Sequence, residues 1–359
     1  MDVEKKIKEI LTTAVKFRAS DIHFVPMERN AVIRFRIDGN LVEMEKLPIS
    51  FIVKLINHLK FISKMDVGER RRPQNTSIDI SLVNKTYSIR LSTFPSTAYE
   101  TLVIRLFPYE NHQSLHQLSL FPKQAIKLLN MIRASNGLII ICGPTGTGKT
   151  TTLYSLLHSS FYAWRRNIIT LEDPVEQKHG DFLQMEINER AGVTYASGLR
   201  SLLRHDPDII MIGEIRDAET AKMAIRSALT GHLVFSTLHS KNSISALRRL
   251  HELGISVMDL KDTVTGIVAQ QLVNIVCPYC GSSCSKFCKR ERTRRRGAIY
   301  EILTDNNLRD AIACLDHDGN HEGGKLKITT LDNLVCKGIA LGFIPEDEHS
   351  IPEWGGKIK

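Results

Sequence analysis

Residues 139–154 read "IIICGPTGTGKTTTLY". An apolar run breaks into glycines, meets a lysine, and continues into a segment with helical character, "TTLYSLLHSSF" (151–161). From Gly143 to Thr150 the spacing is G-x-x-x-x-G-K-[ST], bracketed by an expected strand and an expected helix. Glycines let backbone N–H groups curl around phosphate oxygens where a Cβ would collide. The helix that starts here turns its positive dipole end to the same anion. Lys149 adds a full charge near the β- and γ-phosphates, and Thr150 offers a hydroxyl to Mg²⁺. The nucleotide-binding residues expected are therefore Gly143, Pro144, Thr145, Gly146, Thr147, Gly148, Lys149, Thr150 and Thr151, with ATP and Mg²⁺ as ligands.

Similar short apolar runs follow: "NIITL" (167–171), "DIIMI" (208–212) and "HLVFST" (232–237), separated by helical patterns such as "DAETAKMAIRSAL" (217–229). Strands alternating with helices imply a parallel sheet covered on both faces. Hydrolysis needs a carboxylate as well as a phosphate site. Two candidate groups end these runs: Glu172 and Asp173 with Glu176 nearby, and Glu214 after Gly213. In a parallel sheet both groups project near the nucleotide; the competing reading of each is a helix cap. From Ser243 to Val276 the spacing reads as helical.

The amino-terminal third is patterned differently. Residues 3–17 place Val3, Ile7, Ile10, Leu11 and Ala14 at helical spacing. "AVIRFRIDGNLVEM" (31–44) alternates about Asp38-Gly39, a two-residue hairpin signal. A second helical face runs through Ile52, Leu55, Leu59 and Ile62. Two strands follow, "TYSIRLSTF" (86–94) and "TLVIRLF" (101–107), carrying Arg90 and Arg105 on apolar stretches where an unpaired charge is costly. The expected organisation is an α+β domain over 1–107, a Pro-bracketed linker over 108–122, an α/β domain over 123–276, a cysteine and basic segment over 277–297, and a helical region over 298–359.

The chain has 359 residues and a formal net charge of +9. At about 150 residues per domain this length suits two or three domains. The start, "MDVEKKIKEILTTAVKF", has no signal-peptide pattern. No apolar run approaches the ~20 residues of a membrane span. A cytoplasmic location is expected, with any membrane contact made through a partner. Four of the seven cysteines, Cys277, Cys280, Cys284 and Cys288, crowd into "CPYCGSSCSKFC". In a cytosolic chain they point to a metal, with Zn²⁺ and reduced thiols both open. Cys142, Cys314 and Cys336 are expected as small buried hydrophobes. "KRERTRRR" (289–296) is either a solvated face or a patch for nucleic acid or acidic lipid; it holds no aromatic residue to stack on bases.

Taken together, these motifs resemble the secretion ATPases that drive type II secretion and type IV pilus assembly. The phosphate loop "GPTGTGKT", the aspartate box "TLEDPVE" (170–176), the Walker B segment "LRHDPDIIMIGEIRD" (203–217) and the histidine box "TGHLVFSTLHS" (230–240) occur in the family's order. Upstream, "ASDIHF", "RFRIDG", "ERRRPQ", "IRLSTFP" and "VIRLF" look like its amino-terminal domain. The resemblance covers roughly residues 15–302 and implies a RecA-like P-loop ATPase domain behind a smaller, PAS-like α+β domain. Within the family, the short lead before "ASDIHF", the closely set cysteines and the short tail after "YEIL" resemble the branch serving competence pili of Gram-positive bacteria.

The resemblance implies that Glu214 activates water with Glu172 assisting. It implies that His232 and His239 read the γ-phosphate, and that Arg90 and Arg105, with Arg36 behind them, neutralise transition-state charge. Structural salt bridges for the arginines, and packing roles for the histidines, are the alternatives. It further implies a homohexamer working on a polytopic membrane platform protein at the cytoplasmic face of the membrane. Pilins would be moved indirectly and DNA taken up without direct contact. The structural Zn²⁺ is an expectation from the cysteines themselves, whose spacing departs from the family's pattern. A type II secretion motor, a pilus retraction motor and a RecA-like nucleic-acid translocase are the alternative functions.

Overall fold

The computed structural model describes all residues except 1, 28–29, 84, 97–98, 109–112, 282–283, 285–287, 289–293, 316–326 and 347–359. Most of the basic run, 289–293, therefore lies outside the described residues. The chain divides into two compact units: Met1–Asn111 with Ser283–Arg295, and His112–Ser282 with Arg296–Lys359.

The first unit opens with helix α1 (Val3–Phe17), capped by Asp2, whose side chain accepts the Glu4 N–H. Its apolar stripe Ile7, Ile10, Leu11 and Ala14 is buried, as the spacing predicts. Strands β1 (Asp21–Pro26), β2 (Ala31–Ile37), β3 (Asn40–Leu47), β4 (Gln74–Leu82), β5 (Lys85–Pro95) and β6 (Glu100–Pro108) form an antiparallel sheet in the order β3-β2-β1-β6-β5-β4. Asp38 and Gly39 both take positive φ, 52° and 85°, which a two-residue turn between twisted strands requires. Helix α2 (Ile49–Ile62) buries Ile52, Leu55, Ile56 and Leu59 against this sheet's core. Ile62, expected on that face, is 40% exposed at the helix end. Lys60 is buried instead, its charge met by Glu100 at 2.9 Å. Arg295 joins the unit through Asp38 at 3.1 Å and the Phe17 carbonyl at 3.2 Å.

The second unit is built on a sheet ordered β13-β12-β7-β11-β10-β8-β9. Its strands are β7 (Gly137–Cys142), β8 (Ile168–Glu172), β9 (Leu183–Glu186), β10 (Ile209–Ile212), β11 (Leu233–Leu238), β12 (Val264–Asn274) and β13 (Arg296–Thr304). All neighbours run parallel except β12 and β13. Every residue of β7, β10 and β11 is buried, because each strand feeds two cores. Leu138 and Ile140 of β7 pack on one side with α6 (Tyr195–Leu202), α7 (Ala218–Leu229), α8 (Ser243–Glu252) and α9 (Val257–Thr263). Ile139 and Ile141 pack on the other with α3 (Leu115–Leu118), α4 (Pro122–Met131) and α5 (Lys149–Trp164). Burial on both faces removes the alternation of a half-exposed strand and leaves the uniform apolar runs seen in the sequence. Helices α10 (Asp305–Ala313) and α11 (Leu331–Ala340) follow β13.

Four expectations need correction. The stretch read as helical to Val276 contains β12, entered directly from α9 without a turn. An apolar segment buried on both faces has no period by which strand and helix can be told apart. "GAIYEIL" likewise is the strand β13, with helices only after it. The polar stretch over 108–122 holds α3, whose Ser114 and Gln117 close a capping box and whose Leu115 is buried. Cys142 is buried, but Cys314 and Cys336 are exposed. Among the described residues no helix is long and apolar enough to cross a membrane.

Candidate active site

The loop 143–148 leaves the C-terminal end of β7 and enters α5. Gly143, Gly146 and Gly148 have φ of 152°, 81° and 82°. At Gly143 the constraint is double, since a Cβ there would stand 2.6 Å from the Gln270 carbonyl and 2.9 Å from Thr147 Oγ1. Pro144, Thr145 and Gly146 are exposed at the loop's crest, and Thr150 and Thr151 begin the first turn of α5. Lys149 is buried, its Nζ donating to the carbonyls of Gly143 and Pro144, each at 2.9 Å. Burial holds its ammonium below the ordinary lysine range, opposed by the negative charges of Glu214 and Glu176.

Gln270, on β12, lies beneath this loop. Its Nε2 donates to the Thr147 carbonyl at 2.7 Å, and the residue is 1% exposed. The sequence reading missed it, although a glutamine inside "IVAQQLV" is a signal: a buried amide needs a partner.

Glu214 follows β10, on the same side of the sheet as the loop, because β7, β10 and β11 are parallel. Its Oε1 lies 3.1 Å from His239 Nε2 and its Oε2 3.0 Å from Arg216 Nε. Arg216 Nη1 reaches Asp173 Oδ2 at 3.1 Å. The Glu214 hydrogen bond and charge raise the Arg216 guanidinium's pKa, against partial burial. The ends of β8, β10 and β11 thus carry a continuous acid–base chain, Asp173–Arg216–Glu214–His239. The Glu214 side chain is 20% exposed, so water can reach it.

Glu172 is different. It is 3% exposed and accepts from Tyr154 at 2.7 and 2.6 Å, from Thr170 at 2.7 Å and from Gln184 at 3.2 Å. Burial raises its pKa; the bonds from Tyr154, Thr170 and Gln184 oppose that shift. Burial and the Glu172 charge push the Tyr154 hydroxyl far above its ordinary range. Tyr154 and Gln184 were not singled out in the sequence, because their distance from Glu172 is closed only by the fold.

A test follows for Tyr154→Phe. A lost hydrogen bond to a buried carboxylate costs about 1–3 kcal/mol. The variant should be less stable by that order at neutral pH, as read by denaturant unfolding. Glu172 titrates above its unfolded value of about 4.3, so the stability it gives is present at low pH and lost as pH rises through the folded pKa. The deficit of the variant should therefore shrink as pH falls through this window. A deficit independent of pH would detach Tyr154 from Glu172.

The structure separates His232 from this centre. His232 precedes β11 and His239 follows it; at about 3.3 Å per residue the two stand about 20 Å apart. The His232 carbonyl accepts the Gly137 N–H at 3.1 Å, at the far end of β7. Its Nδ1 lies 3.1 Å from both Thr230 Oγ1 and the Ser227 carbonyl, where it braces the turn after α7.

In the first unit, Arg36, Asp21, Arg105 and Arg90 occupy one row across β2, β1, β6 and β5. Asp21 lies 2.7 Å from Arg105 Nε and 3.7 Å from Arg36 Nε. Arg90 lies over the Phe107 ring, 5.4 Å from its centroid. Asp21, overlooked in the sequence, thus pairs two of the three candidate arginines.

The sulfur ligand atoms of Cys277, Cys280, Cys284 and Cys288 lie within 4.8 Å of one another, and Cys277 is buried. Cys284 and Cys288 are 3.8 Å apart, Sγ to Sγ. A tetrahedron with Zn–S bonds of about 2.3 Å has edges of about 3.8 Å, so the donor set fits that ion.

Comparison with known proteins agrees with this arrangement. Residues 1–343 match the family described as Type II/IV secretion system protein. The chain is 46% identical over 348 residues to competence protein ComGA of Bacillus subtilis (strain 168), covering 97% of each. It is 37% identical over 344 residues to type II secretion system protein E of Dickeya dadantii (strain 3937), covering 89% of this chain and 68% of that protein. Among solved structures, the pilus retraction motor PilT with bound ADP superposes with a TM-score of 0.69 at 26% identity, covering 97% of each chain. With a family match over nearly its whole length and the phosphate loop, Walker B glutamate and histidine box set on one parallel sheet, the chain belongs to the type II/IV secretion system ATPase family.

Proposed function

We propose that this chain is the ATP-hydrolysing motor that powers assembly of a competence pilus. The observation that carries hydrolysis is the convergence of Lys149, Glu214 and His239 at the C-terminal ends of β7, β10 and β11. Lys149 exchanges the Gly143 and Pro144 carbonyls for β- and γ-phosphate oxygens. Thr150 offers its hydroxyl, and the nearby carboxylates complete an all-oxygen donor set of the kind a hard cation prefers; Mg²⁺ bound there neutralises phosphate charge. Glu214 takes the proton of the attacking water, and His239 senses the γ-phosphate. Glu172 positions Tyr154 and Gln184 and does not itself meet water. Arg90 and Arg105 supply positive charge from the amino-terminal unit, and Asp21 holds Arg105 until phosphate competes for it.

The similarity to the Bacillus subtilis competence protein supports the biological setting. The motor is a homohexamer at the cytoplasmic face of the membrane. It acts on a polytopic platform protein, moves pilins through it, and serves DNA uptake without binding DNA. Two measurements test this reading. Purified protein with ATP and Mg²⁺ should release inorganic phosphate. Deletion of the gene should abolish both transformation and surface pili; transformation intact with export lost would move the motor to secretion.

The cysteines hold a structural Zn²⁺. Protein purified without added zinc should contain about one equivalent per chain by elemental analysis, and Cys277→Ser should lose it. Less than half an equivalent in the wild type would leave the cluster as reduced thiols.

A further inference from the structure

Glu301 of β13 has no place in the hydrolytic centre, yet it is a carboxylate only 4% exposed. In register it faces Ala269 of β12; Ala269 faces Cys142 of β7, which faces Leu238 at the end of β11. Side chains of one row project to the same side of a sheet. The slender Ala269 and Cys142 leave room for the glutamate to reach α8. There Oε1 accepts the Ser243 N–H at 2.9 Å and the Ser243 hydroxyl at 2.5 Å. Oε2 accepts the Leu331 N–H at 3.3 Å. Ser243 and Leu331 are the first residues of α8 and α11. Their N–H groups have no partner within their helices, and the helix dipole favours an anion there. One buried carboxylate therefore fastens two helices to the sheet.

The consequence reaches His239. Three residues, Ser240, Lys241 and Asn242, separate it from Ser243. On one side Leu238 is fixed by pairing with Cys142. On the other, the Asn242 carbonyl accepts from Cys142 Sγ at 3.5 Å, and the Asn242 side chain caps Ser245. Without Glu301, the start of α8 would lose its anchor to β13.

We propose that Glu301 is a positioning residue: through Ser243 it fixes the loop that sets His239 against Glu214, and through Leu331 it ties that loop to α11. The proposal rests on reading Glu214 and His239 as the hydrolytic centre. It makes α11 a place from which turnover is tuned without change in nucleotide affinity.

The test uses the full chain with Glu301→Gln, Glu301→Ala, and the pair Leu331→Pro and Leu331→Ala. Proline is tolerated at the first helical position and removes only the N–H there. Thr330, at φ −68° and ψ 162°, already has the backbone a following proline demands. Leu331→Ala keeps the N–H and reports the lost side chain. Turnover, KM for ATP, affinity for a non-hydrolysable ATP analogue, and amide hydrogen exchange over 239–245 are measured. Glu301→Ala should lower kcat about tenfold, the size of a lost charged hydrogen bond, with KM and analogue affinity within about twofold. Glu301→Gln should recover most of kcat, since its amide oxygen still accepts from Ser243. Leu331→Pro should fall about threefold below Leu331→Ala. Exchange over 239–245 should quicken in Glu301→Ala. Wild-type kcat and exchange in Glu301→Ala, or equal losses in kcat and affinity, would overturn the proposal. Should Glu301→Ala not fold, equal kcat in the two Leu331 variants would overturn it. A wild-type protein that releases no phosphate defeats the hydrolytic reading, while the exchange comparison still decides whether Glu301 holds the loop.

Discussion

Lys149→Ala should abolish ATP turnover and weaken nucleotide binding by at least about tenfold, the order of one charge-assisted hydrogen bond. Loss of a preorganised donor to the phosphoryl group adds about 100-fold or more in kcat. The effect is electrostatic and should not be confused with unfolding. Burial depresses the Lys149 pKa, so the folded state disfavours its charge. Stability of the wild type therefore rises with pH between that depressed value and the ordinary lysine pKa of about 10.4, and the alanine variant should lack this rise. What the variant loses is the donor to the Gly143 and Pro144 carbonyls. The exposed Pro144 regains water; only Gly143 pays a desolvation penalty. Calorimetry with an ATP analogue, paired with thermal unfolding, separates the two. Affinity within threefold of wild type in a folded variant would remove Lys149 from the phosphate site.

The phosphate loop was legible because its information is local. Glycine spacing, a preceding buried strand and a following helix all lie within residues 137–164. Strands β8, β10 and β11 were legible for a related reason: both faces are buried, and the run ends where polar residues meet the site. The same double burial hid β12, which follows α9 without a break and carries its polar residues, Gln270 and Gln271, mid-strand. Strand β9 is four residues long, too short to impose a pattern. In the site, Glu214 stood out as a strand-end residue and His239 through the histidine-box resemblance, but Tyr154, Gln184 and Gln270 act through contacts made only on folding. His232 and His239 share one motif. The six residues of β11 between them decide that only the second stands with Glu214.

Glu214→Gln should keep ATP affinity and lose about 10²–10⁴ in kcat, the range of a general base. The substitution preserves size, but an amide cannot accept a proton from water at neutral pH. Its oxygen can still take the hydrogen bond of Arg216, while its NH₂ can donate to His239 Nε2, a ring nitrogen able to accept, so the contacts at 3.0 and 3.1 Å can both persist. Lys149 loses the largest charge opposing its desolvation, which should leave its ammonium slightly easier to deprotonate without removing it from the phosphates. The comparison that gives the result meaning is Glu172→Gln. Glu172 is buried and all its close partners are donors: Tyr154, Thr170 and Gln184. An amide there must turn an NH₂ toward at least one of them, so that variant should lose stability and kcat together. Glu214→Gln should lose kcat alone, because its side chain is 20% exposed and water can serve a partner left without its bond. If turnover survives in Glu214→Gln, the base lies elsewhere. Glu172 would be a poor successor, since a carboxylate held by three internal donors has little capacity left for the proton of an attacking water.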